Sequence, residues 1–152
     1  GLWVIGYGIV QGLAPSLRRV WGRTSPPGPS AVQFWSALLT AIPALIAIAL
    51  WRNVAQPGVA IVVGLAAFGV VFAMNSSIHS YLVLAYTDVE SVSLNVGFYY
   101  MANAGGRLLG TLLSGWVYLA GGMLACLWCS AALVGLSWLS TLQLPPVAKL
   151  QT

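Results

Sequence analysis

"YYMANAGGRLLGTLLSGWVY", Tyr99 to Tyr118, decides the fold. It is twenty residues of apolar and small side chains with tyrosine at both ends. About 20 such residues cross the hydrocarbon core of a bilayer. Tyrosine is enriched at both membrane–water interfaces. The stretch is therefore predicted to be a transmembrane helix, and its single charge, Arg107, has to be explained inside that helix.

The rest of the chain agrees. Of its 152 residues, 59% are hydrophobic and 5% charged, and the mean hydropathy is +0.89. Soluble domains carry about 25% charged residues. A water-exposed surface with so few charges would aggregate, so a soluble fold is excluded. The net charge of +4 comes from six basic residues scattered along an apolar chain. They form no basic stripe, which excludes a nucleic-acid partner. The predicted fold is all-α, a polytopic transmembrane helix bundle whose surroundings are the lipid bilayer. Gly1 stands inside an apolar run with neither Met nor a basic region before it, unlike a signal peptide. The first helix looks cut, so the chain is expected to be the C-terminal piece of a longer protein.

Five apolar segments follow in order. Residues 1–14 read as a partial helix, and 15–31 as a loop rich in Pro, Gly and Ser with Arg18, Arg19 and Arg23. Residues 32–51 read as a membrane helix, with Trp35 and Trp51 near its ends and Pro43 expected to kink it. Residues 59–86 form a third segment, long enough to tilt or bend. Residues 88–118 form the fourth. Thr87 and Glu90 fit a capping box at its start, and Asp88 and Glu90 suit its positive dipole end. "LAGG", Leu119 to Gly122, is a tight turn into the fifth segment, 123–142, and residues 143–152 form a tail. Alternate loops share a side. One side then holds Arg18, Arg19, Arg23 and Lys149, the other only Arg52. The positive-inside rule places the first side, and the C-terminus, in the cytoplasm.

Asn95, Tyr99, Asn103 and Arg107 are spaced by four and share one face of the fourth segment. Beside them Ala102, Gly106, Gly110 and Ser114 form a small-xxx-small stripe suited to close helix packing. Arg107 lies about 28 Å into the helix by its rise per residue, near mid-membrane. A charge there costs about 2.5–3.5 kcal/mol on translocon scales, so it should face a bundle interior or water. Backbone carbonyls, a residue elsewhere in the protein, or an anionic ligand would pair with it. Guanidinium suits phosphate and carboxylate. A structural arginine tying helix ends together is the other open reading.

Asn75 and His79 are four apart on the third segment, with Ser76 and Ser80 on the adjacent stripe. Interhelical hydrogen bonding is the ordinary role of such residues in membranes. A hydrated path or substrate contact, with His79 titrating, is the alternative. Cys126 and Cys129 lie in an apolar helix without a basic neighbour and read as small core residues, not a redox or metal pair. Ser114 and His79 do not make a convincing protease dyad: Ser114 lies on the small stripe, and Leu112 replaces the glycine usual in rhomboid-type proteases. No enzyme activity, cofactor or metal is expected.

"GLAPSLRR", Gly12 to Arg19, resembles a degenerate form of the cytoplasmic loop motif of the major facilitator superfamily, matching at Gly12, Pro15, Arg18 and Arg19. The acidic position of the fuller motif is Pro15 here. "GRLLGTLLSGWVY", Gly106 to Tyr118, resembles helix 11 of that family. The resemblance implies a chain running from the end of helix 8 through helix 12. "YGIVQGLAPSLRR" with "NVGFYYMANAGGRLLGTLLSGWVY" is similar, more narrowly, to organoarsenical efflux permeases of the ArsJ type. That implies export of 1-arseno-3-phosphoglycerate, which a glyceraldehyde-3-phosphate dehydrogenase makes from arsenate, and hence arsenate resistance at the cell membrane. The implied partners are the missing N-terminal region, the dehydrogenase as a functional link, and a small anionic substrate. The resemblance assigns no binding role. Arg107, Asn103, Tyr99, Asn95, Asn75 and His79 are the substrate-binding candidates on chemistry alone, with Arg18 and Arg19 expected in conformational locking. A facilitator-type exporter of another drug or organic anion, or a membrane scaffold without transport, are the competing expectations.

Overall fold

Prolines open the first two long helices. In a computed structural model, which describes residues 5, 6, 8–10, 12, 13, 28–54, 56–85, 87 and 92–144, helix α1 spans Pro29–Trp51. Gly28 before it is extended, and Pro29 takes the first helical position. Proline fits there because its missing N–H would have no partner in the first turn. The helix therefore starts inside the stretch expected to be loop. Its end is a Schellman cap. Val54 N–H donates to Ala49 O at 3.1 Å and Asn53 N–H to Leu50 O at 3.3 Å. Asn53 supplies the left-handed residue this needs, with φ 51°.

Helix α2, Pro57–Ala85, likewise begins at a proline, two residues before the expected start. Near its far end the Thr87 hydroxyl donates to Val83 O. Thr87 thus serves the end of α2. Its expected partner Glu90 lies outside the described residues, as do Pro15, Arg18, Arg19, Arg23, Asp88 and the tail from residue 145. Residues 5, 6, 8–10, 12 and 13 are helical, where a partial helix was expected.

Helix α3, Val92–Thr141, joins the two expected segments 88–118 and 123–142. Its 50 residues would measure about 75 Å if straight, against about 30 Å of hydrocarbon. It does not run straight. Gly122 is non-helical, φ 67° and ψ −161°. Cys126 Sγ comes back to within 3.5 Å of Ser114 O. Gly110, Leu113, Ser114 and Val117 face Cys126, Cys129, Ser130 and Leu133 across a cleft. The element is a helical hairpin, with its turn where "LAGG" is.

α1 is the middle of the bundle. It packs against both α2 and α3, which barely touch each other. One stripe of α1 is buried: Val32, Ser36, Leu39, Pro43, Ile46 and Ala47. α2 answers with Val71, Ala73, Met74, Ile78 and Leu82. Gly64 of α2 lies directly over the Ile46 side chain. On the other flank Gly135 of α3 sits by Thr40, and Gln33 Nε2 donates to Thr141 O at 3.3 Å. Val32, Ile78 and Leu82 form one cluster, with Trp35 and Leu144 against it. The start of α1 and the ends of α2 and α3 therefore share one end of the bundle. All three long helices are long and apolar enough to cross a membrane. The chain is all-helical with the character of a membrane protein.

Candidate functional site

Two polar groups stand out on this apolar frame. The first is on the leading half of α3. Asn95, Asn103 and Arg107 are exposed and Tyr99 is half-buried, in edge contact with Tyr100 at 5.6 Å. Around Arg107 the neighbours Leu108, Leu109 and Leu112 are exposed too. The Thr111 hydroxyl donates to Arg107 O at 2.7 Å, which ties the backbone and leaves the guanidinium free. That guanidinium has no hydrogen bond or ion pair among the described residues. The expected polar stripe is therefore present as a stripe, but α1 and α2 do not cover it. In a bilayer an arginine in this setting must meet water, another protein segment or an anion.

The second group joins α1 to α2. The Ser36 hydroxyl, 2% exposed, donates to Asn75 Oδ1 at 3.2 Å. Thr40 Oγ1 donates to Ser36 O at 2.9 Å, one turn along α1. His79 Nδ1 lies 3.0 Å from Asn75 O. A carbonyl only accepts, so Nδ1 carries the hydrogen, and in the neutral ring Nε2 keeps its lone pair. Both Asn75 and His79 are half-buried. Interhelical bonding, the ordinary expectation for Asn75, is met by Ser36. Ser76 and Ser80 are half-buried on the adjacent stripe. Ser36 was not singled out in the sequence. The available signal was a hydroxyl at Ser36 followed by another at Thr40, four residues on, within an otherwise apolar helix.

No hydrogen bond or ion pair links Arg107 to Asn75 or His79. The six candidates thus fall into two separate sets on two helices.

The small-residue stripe divides as well. Gly110 and Ser114 line the hairpin cleft, of about 220 Å³, opposite both cysteines. Ala102 and Gly106 are exposed, and a Cβ added at Gly106 would meet open space. Gly110 and Ser114 are exposed as well, and a Cβ at Gly110 would also meet open space, so none of the stripe is closely packed among the described residues. Cys126 and Cys129 are free thiols, half-buried among these small neighbours. No set of three His, Cys, Asp or Glu side chains able to hold a metal gathers among the described residues. Of the loop motif only Gly12 is described; it is helical and exposed. At the end of α1 the Arg52 guanidinium lies 5.5 Å from the Trp51 ring centroid, a cation–π pair suited to the headgroup region. Comparisons with protein-family models, curated proteins and solved structures find no match to this chain.

Proposed function

We propose that this chain belongs to a facilitator-type efflux permease that carries a small anionic organoarsenical out of the cell and so confers arsenate resistance. The observation behind the proposal is Arg107: a guanidinium on a membrane-length helix, in line with Asn95, Tyr99 and Asn103, with no protein counter-ion among the described residues. An anionic cargo is the natural partner of such a group, because guanidinium and amide donors match phosphate and carboxylate oxygens. Binding between helices near the membrane midplane is the common transporter design. The loop and helix 11 resemblances supply the superfamily, and the ArsJ-type resemblance supplies 1-arseno-3-phosphoglycerate as the cargo.

In this scheme the protein performs no covalent chemistry. A glyceraldehyde-3-phosphate dehydrogenase makes the arseno-ester, and export removes it before it decays. Further helices of the same transporter cover the exposed half of α3 and complete the path. The protein resides in the cell (inner) membrane with its C-terminus in the cytoplasm.

The test is growth in arsenate of sensitive cells that express the full-length gene beside the dehydrogenase. Resistance is expected, and its absence would refute the arsenical cargo. Arg107→Gln should cut anion transport by about 10–100-fold, the worth of a charged hydrogen bond. Unchanged transport in that variant would remove Arg107 from the binding site. Export of a neutral drug, indifferent to Arg107→Gln, would favour the rival reading of a drug exporter.

A further inference from the structure

We infer that Asn75 and His79 form a second oxyanion site, one that binds a tetrahedral phosphate- or sulfate-type group together with a proton taken up by His79 Nε2. It deepens the proposed function and rests on it only in taking the cargo to be an anion.

The bonds already made decide what is left over. Asn75 Oδ1 is occupied by the Ser36 hydroxyl. His79 Nδ1 is occupied by Asn75 O. The Asn75 amide N–H₂ and His79 Nε2 make no hydrogen bond among the described residues. Neither is fully buried: no side-chain nitrogen or oxygen among the described residues is both buried and unbonded. So one donor group and one ring nitrogen are left without a partner among the described residues, four residues apart on one helix face, where Cβ atoms lie about 5–6 Å apart. The Ser36 bond fixes the amide orientation, and the Asn75 carbonyl fixes the ring. Such outer bonds are what hold an imidazole ready for a ligand at its other nitrogen.

The protonation state then decides the ligand. With Nε2 neutral, a lone pair faces any anion beside the amide, and binding is opposed. With Nε2 protonated, the imidazolium and the Asn75 amide both donate, and an oxyanion accepts from both with charge assistance. The proton comes from solvent, and no bond within the anion changes. Among the described residues no charged side chain pairs with His79. α1 carries no titratable residue at all. α2 adds Tyr81, and α3 carries Tyr99, Tyr100, Arg107, Tyr118, Cys126 and Cys129; none of them pairs with His79.

The experiment is calorimetric titration of the full-length protein in lipid nanodiscs with sulfate. Sulfate is chosen because it does not itself titrate in the working range. Because binding takes up a proton, affinity should rise about tenfold or more from the upper to the lower end of the pH range in which the protein stays folded. Buffers of different ionisation enthalpy should report uptake of close to one proton per sulfate at the upper end. His79→Gln keeps an uncharged donor and should bind weakly with no pH slope. Asn75→Asp keeps the Ser36 bond but sets a carboxylate against the anion, and should abolish the proton-linked binding, leaving only sulfate held at Arg107; melting temperatures establish that both variants are folded. A flat wild-type profile, a slope that survives His79→Gln, or no sulfate binding at the low-pH end would overturn the inference. Arsenate resistance reads out separately. Its absence with proton-linked sulfate binding intact removes the proposed cargo and leaves this site standing.

Discussion

Gly64 sets how near α1 and α2 approach. A Cβ placed there would run into Cδ1 and Cγ1 of Ile46, a side chain only 6% exposed and held by its neighbours. Between helices in a membrane, lipid is as apolar as the partner, so close backbone approach and dispersion contacts replace the hydrophobic effect as the source of stability. Gly64→Val should therefore destabilise the bundle by about 1–3 kcal/mol, the usual cost of overpacking. Ile46→Ala in the same chain removes the colliding atoms and should restore much of the loss. Thermal unfolding of the single and double variants in detergent checks this; a Gly64→Val protein as stable as the parent would show that the helices do not meet here. Ser36 belongs to the same scale. Its hydroxyl is an interhelical bond of the kind that averages about 0.6 kcal/mol in membrane proteins, so Ser36→Ala should weaken the bundle slightly and loosen the Asn75 amide more than it lowers the melting point. Neither residue announced itself in the sequence. Gly64 and Ile46 are 18 positions apart, and Ser36 and Asn75 are 39 apart. Such pairings follow from helix register, which a one-dimensional pattern does not fix. Arg107, Asn75 and His79 were legible because a polar group in an apolar run is conspicuous without any partner.

Among the elements, the hairpin of α3 shows what was readable and what was not. Two apolar segments separated by a double glycine predict a turn, and the turn is there. Gly122 adopts φ 67° with ψ −161°, a region open essentially to glycine alone. A Cβ at Gly121 would come within 2.6 Å of Ala125 Cβ. Gly122→Ala should thus cost about 1–3 kcal/mol of backbone strain and loosen the antiparallel halves. A cysteine at Val117, which shares the cleft with Cys126, would report this in a protein with Cys129→Ser. Its cross-linking to Cys126 should fall when Gly122→Ala is added, and equal yields would mean that the turn tolerates a side chain. The expected boundaries at residues 32 and 59 came late by two or three positions for one reason. Pro29 and Pro57 look like loop residues, yet proline is favoured at the first helical position. The uncovered half of α3 was not legible either. A small stripe and a polar stripe say that a helix wants neighbours, and only packing shows that α1 and α2 are not those neighbours.

For the whole molecule, the packing fixes which ends lie together. Thr141 meets Gln33, and Gly135 meets Thr40, so the second half of α3 runs antiparallel to α1. Carried back at the same register, Gly122 lies level with the Arg52 turn. Both turns therefore occupy one end of the bundle, and Leu144 and Val32 the other. The sequence expectation assigns Arg18, Arg19, Arg23 and Lys149 to the side of the chain end and leaves Arg52 alone on the other. By the positive-inside rule, that expectation puts the first side in the cytoplasm. In a protein with Cys126→Ser and Cys129→Ser, a single cysteine at Asn53 should react with a membrane-impermeant maleimide added to intact cells or spheroplasts. One at Leu144 should react only after permeabilisation. Labelling of both from outside would place the two turns and the chain end on one face, against the packing. The reverse pattern would keep the packing and invert the orientation, leaving Arg52 with its Trp51 partner at the cytoplasmic surface and the four other loop cations facing out.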